Sequence, residues 1–115
     1  MSQTRRFIQP FHIIDNQTMA ADITTTAVDI SNVDDISIVY DWSAGSSPVG
    51  SLIVEVRNGE SPWSILDIAP PAAISLNTGN NNIQITNVSF KELRLIYSRT
   101  GGSGTLNAWL TGKGR

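Results

Sequence analysis

The chain has 115 residues, enough for one domain with a two-layer core and too few for a core plus a separate catalytic domain. Charged residues make up 16%, against roughly 25% in an average domain, and the net charge of −2 comes with no basic patch, which excludes phosphate-neutralising contact with nucleic acid. Cysteine is absent, so a disulfide framework, thiol catalysis and thiolate zinc sites are excluded, and no apolar run reaches membrane-spanning length.

The start, Met1 to Arg6, has no apolar segment behind it and is not read as a secretory signal; Arg5-Arg6 is read as part of a solvated arm. Phe7, Ile8, Phe11, Ile13 and Ile14 are apolar but interrupted by Pro10, which removes a ladder donor and predicts an edge strand or extended arm over residues 1–20. The β-branched stretch 21–30 predicts a strand, followed by a turn at 31–35. Residues 36–42 give the cleanest alternation, with Ile36, Ile38, Tyr40 and Trp42 on one face and Ser37, Val39 and Asp41 on the other. A loop is expected at 43–50.

The next strand spans 51–57, with Leu52, Val54 and Val56 inward, and closes at the strong turn signal Asn58-Gly59. Short strands are expected at 63–68 and 74–76, a turn over Thr78 to Asn82, and a further strand from Ile83. Leu93, Leu95 and Tyr97 alternate with Arg94, Ile96 and Ser98, Leu106, Ala108 and Leu110 alternate with Thr105, Asn107, Trp109 and Thr111, and the glycine-rich residues 100–104 between them predict a terminal β-hairpin. No segment of helical length keeps a 3.6-residue apolar period. The expected architecture is therefore all-β: a single β-sandwich or jelly roll of about eight or nine short antiparallel strands over residues 21–115, with an extended N-terminal arm.

The chemistry-bearing residues are few. His12 is the single histidine and has no nucleophile elbow or further ligands to work with, so a structural or solvent-exposed role is expected and no catalytic, cofactor or metal site is assigned. Asp29, Asn32, Asp34 and Asp35 match no calcium loop and suit a turn that bonds its own backbone. Asp41 and Glu55 point outward in the predicted register, where pairing with Arg57 or Arg94 is the plain expectation for a carboxylate. Trp42 shares the phase of the core, and Trp63 follows Ser61-Pro62 at a candidate end of the sandwich. Trp109 is opposite in phase to Leu106, Ala108 and Leu110, which makes it the aromatic most suited to an interface or to stacking on a sugar.

An ordered set of segments also carries a family resemblance: VDISNV at 28–33, IVYDW at 38–42, SPVGSLIVEVRN at 47–58, Trp63, LRLIYSRTGGSGTLNAW at 93–109, and Gly112-Lys113-Gly114. Over roughly residues 12 to 114 the chain resembles small β-sandwich proteins encoded among the structural genes of tailed bacteriophages, namely capsid decoration, head-fibre or related accessory components. The resemblance implies a non-enzymatic protein of the virion, made in the host cytoplasm, whose partners are the major capsid protein or other virion proteins and sister subunits in a homo-oligomer. It supplies no catalytic residues. Phe7, Ile8, Phe11, Ile13 and Trp109 are the candidate interface. No nucleic acid or membrane partner is expected. The alternatives are a neck or fibre-associated component and a carbohydrate-binding module with glycan as its partner.

Overall fold

The structure, a computed structural model, describes residues 7–67 and 69–114, with side chains from His12 onward. Among them are eight strands and no helix: β1 (Phe7–Thr18), β2 (Ile23–Thr24), β3 (Val28–Asp29), β4 (Asp35–Arg57), β5 (Ser64–Ile65), β6 (Ala72–Ile74), β7 (Gly79–Ile85) and β8 (Glu92–Lys113). Arg5 and Arg6 lie outside the described residues, as do the side chains of Phe7, Ile8 and Phe11, and Ile68.

The framework is one long antiparallel ribbon. β4 and β8 pair along their whole length, from Asp35 opposite Lys113 to Arg57 opposite Glu92. The register slips between Ser43 and Gly50, which divides the ribbon into two arms. In the first arm, β7 pairs with β4 and β1 with β8, giving the order β1-β8-β4-β7. In the second, β5 and β6 flank β4 while β2 and β3 flank β8.

Alternation buries one face of each arm. Ile36, Ile38, Tyr40 and Trp42 with Leu106, Ala108 and Leu110 come from the first; Leu52, Val54 and Val56 with Leu93, Leu95 and Tyr97 come from the second. All belong to a single contiguous core, sealed by Ile14, Met19, Ile30 and Ile85. A straight strand of this length would run roughly 70 Å, yet the longest dimension of the molecule is 53 Å. The ribbon therefore bends and closes its two arms on each other as a two-layer sandwich of jelly-roll type. Each fully buried leucine contributes about 1.5–3 kcal/mol.

The bend is built from small residues in unusual conformations. Ala44, Ser47 and Gly102 have φ of 53°, 52° and 72°, and an extra residue in one strand bends and twists it. Backbone and side-chain groups released from the ladder find other partners. Gly45 N–H donates to the Asn77 carbonyl at 3.1 Å, and Met19 N–H to the Gly104 carbonyl at 2.8 Å. Ser47 N–H donates to Asn77 Oδ1 at 2.9 Å, and the indole of Trp42 donates to the Leu76 carbonyl at 2.7 Å.

The structure departs from several expectations drawn from the sequence. The glycine-rich residues 100–104 do not close a terminal hairpin: residues 92–113 form one strand, and the partner of each of its halves is β4. The expected loop at 43–50 is the matching bend in β4. Positive φ serves a ribbon corner as well as a hairpin turn, so local composition does not separate the two. Gly79 to Asn82, expected as a turn, belongs to β7, because Trp42 to Val39 offer a paired ladder that outweighs the turn preference of asparagine. The strand expected over 21–30 is reduced to β2 and β3.

Candidate functional site

The two outer faces of the sandwich differ in how their polar groups are used. On the second arm, Glu55 lies opposite Arg94 and Arg57 opposite Glu92, so charges alternate on a square. Arg57 Nε donates to Glu92 at 2.8 Å, and Arg94 NH2 to Glu55 at 2.7 Å. The loop after β4 brings Trp63 over this square, with the guanidinium carbons of Arg57 and Arg94 at 4.4 and 4.3 Å from the ring centre. Every charge in this square has a partner.

On the first arm, β1, β8, β4 and β7 present rows of outward side chains. The central row is His12, Trp109, Val39 and Asn82, each directly opposite the next. The imidazole and indole are stacked, with ring centres 4.5 Å apart and planes 6° apart. His12 is fixed by donating Nε2–H to Asn107 Oδ1 at 2.6 Å, and its Nδ1 lies 3.3 Å from Asp15. Asn107 in turn accepts Asn16 N–H at 2.8 Å and donates to Asn16 Oδ1 at 3.0 Å. Asn16 takes a φ of 50° at a register shift in β1 to make this reciprocal pair.

The flanking rows are polar: Asn107, Asp41 and Asn80 on one side, and Thr111, Ser37 and Gln84 on the other. The side chains of Asp41, Asn80, Asn82 and Gln84 make no hydrogen bond or ion pair with the described residues. Val39 is 50% exposed.

Of the candidate interface residues, Phe7, Ile8 and Phe11 lie on β1 with their backbones paired to Lys113, Gly112 and Leu110. Ile13 is partly buried against the core. Trp109 is outward, as its phase implies, but one face of its ring is covered by His12. The structure also joins Glu55 to Arg94 and places Trp42 in the core. What local sequence did not carry is the partnership of His12 with Trp109 and the alignment of Asp41, Asn80 and Val39 beside them, which depend on register between distant strands.

Elsewhere, Asp29 accepts both the N–H and the hydroxyl of Ser31, at 2.9 and 2.6 Å. These bonds hold its carboxyl below the usual carboxylate range. An open cleft of about 510 Å³ lies between residues 31–34 and 88–91 at one end of the sandwich. Among the described residues, no cluster of three or more His, Asp or Glu is arranged to hold a metal ion, and no helix is long and apolar enough to cross a membrane.

No family model and no curated protein matches the sequence. The fold is found in solved structures. The SPBc2 prophage-derived protein YomS superposes with a TM-score of 0.59 at 7% identity, over 97% of this chain and 98% of that one. The VP2 subviral particle of infectious bursal disease virus gives 0.60 at 13% identity, covering 99% of this chain and 34% of that chain. The Gt strain of the same virus gives 0.61 at 12% identity. The chain thus spans about a third of the viral chains and nearly all of the prophage-derived one, and at these identities the likeness is one of fold.

Proposed function

We propose that the chain is a non-enzymatic structural protein of a bacteriophage virion, attached to the particle surface as a capsid decoration protein. The observation that carries this reading is the end-to-end agreement of fold with a prophage-derived protein of nearly the same length. The likeness to viral particle proteins supports it.

Attachment runs through β1. It is the outer strand of its layer, so its far side presents N–H and C=O groups to a neighbouring chain. Phe7, Ile8, Phe11 and Ile13 lie along it, and the partner is the major capsid protein, another virion protein or a sister subunit. To test this, a tagged copy is supplied during lytic growth and particles are banded on a density gradient. The expected result is co-banding at a fixed ratio to the capsid protein. A tagged chain that stays wholly at the top of the gradient overturns the proposal.

A further inference from the structure

We infer that the outer face of the β1-β8-β4-β7 layer binds a stretch of neutral polysaccharide, with Trp109 as its wall and Val39 as its floor. This inference stands apart from the virion reading and does not rest on it.

The geometry follows from the central row. Two parallel rings with centres 4.5 Å apart must lie face to face. His12 belongs to β1, on one side of β8, and covers that face of the indole. The other face therefore looks the opposite way along the row, towards Val39 on β4. Valine is much shorter than tryptophan and is half exposed, so the surface steps down from the indole to an aliphatic floor, with Asn82 beyond it. The bond that His12 donates to Asn107 keeps the imidazole in place behind the indole.

The lining chemistry selects the occupant. A sugar ring offers C–H groups on its faces and hydroxyls around its rim, so it needs an aromatic wall flanked by mixed donors and acceptors. Asp41 supplies acceptors only, while Asn80, Asn82 and Gln84 supply both. None of the four side chains is engaged by the described residues. Asp41 is also the sole charged side chain in the three rows where they cross β8, β4 and β7, and it repels sulfated, phosphorylated or uronic sugars. The opposite outer face is the internal comparison: its charges are paired and Trp63 covers them, leaving nothing to recruit a ligand.

The test is affinity electrophoresis of the purified chain in native gels containing β-glucan, galactomannan, arabinoxylan or dextran, with alginate as the anionic control. Retardation is expected in at least one neutral gel and not in alginate. Trp109→Ala should abolish it. Asn80→Ala, at an exposed position away from core and β1, should weaken binding about tenfold through one lost hydrogen bond to a hydroxyl. Absence of retardation in all four neutral gels overturns the inference. So does equal retardation in alginate, or binding unchanged in both variants.

Discussion

Gly102 and Ser47 meet across the β4–β8 ribbon where it turns from one layer to the other, and both hold positive φ, 72° and 52°. A Cβ placed on Gly102 runs into the Ser47 carbonyl oxygen, so at this corner glycine is demanded by conformation and by space.

Three glycines separate these two demands. Gly101 has open space around its Cβ position and no positive φ, so Gly101→Ala should change stability by no more than about 0.5 kcal/mol. Gly59 has open space but a φ of 64°, and Gly59→Ala should cost about 1 kcal/mol. Gly102→Ala combines strain and collision and should cost about 2 kcal/mol or more. Urea melts of the three variants check the ranking; equal losses at all three sites would show that the corner imposes no special requirement.

Tyr97 is wholly buried, and its hydroxyl has no hydrogen-bond partner among the described residues. An unpaired buried hydroxyl is a liability of about 1–3 kcal/mol, so Tyr97→Phe should leave stability unchanged or raise it by about 1 kcal/mol. Burial also holds the phenol of Tyr97 above its ordinary value, and that of Tyr40 likewise. A group whose folded pKa is raised contributes fully below its unfolded value, about 10, and loses that contribution as pH rises through the folded value. Wild-type stability should therefore fall above about pH 10, and Tyr97→Phe should fall less steeply. A loss of stability in Tyr97→Phe at neutral pH would contradict this account.

Trp63 covers the square of paired charges formed by Glu55, Arg57, Glu92 and Arg94. Each cation–π contact is worth about 0.5–1 kcal/mol at an exposed site, so Trp63→Ala should cost about 1–2 kcal/mol and Trp63→Phe less. Uncovered ion pairs are screened more readily, so the alanine variant should lose further stability when salt is added. Denaturant melts at low and high ionic strength measure both effects, and a salt response identical to wild type would show that the indole does not shield the square.

The alternating faces were legible because period two is a local property. Ile36 to Trp42, Leu52 to Val56, Leu93 to Tyr97 and Leu106 to Leu110 all bury the side that their spacing implies. The outward phase of Trp109 and the Glu55–Arg94 pair were legible for the same reason. Connectivity was not: residues 100–104 carry the glycine signature of a hairpin, and only pairing with the equally glycine- and serine-rich residues 43–50 shows them to be half of a corner. The candidate site depended on register still more heavily. His12 and Trp109 lie far apart in sequence, and nothing near either one says that their rings stack.

The shared ribbon has a consequence for the order of events during synthesis. β4 is complete early, but every one of its rungs to β8 waits for residues 92–113, with Asp35 paired to Lys113 and Arg57 to Glu92. Neither layer can assemble its centre on a growing chain that lacks that segment, and neither can open later without pulling the central strands out of the other. Such non-local pairing favours slow, all-or-none folding. The sandwich therefore closes only after these residues have left the ribosome, and until then the edge of β4 that faces β8 lacks its partner.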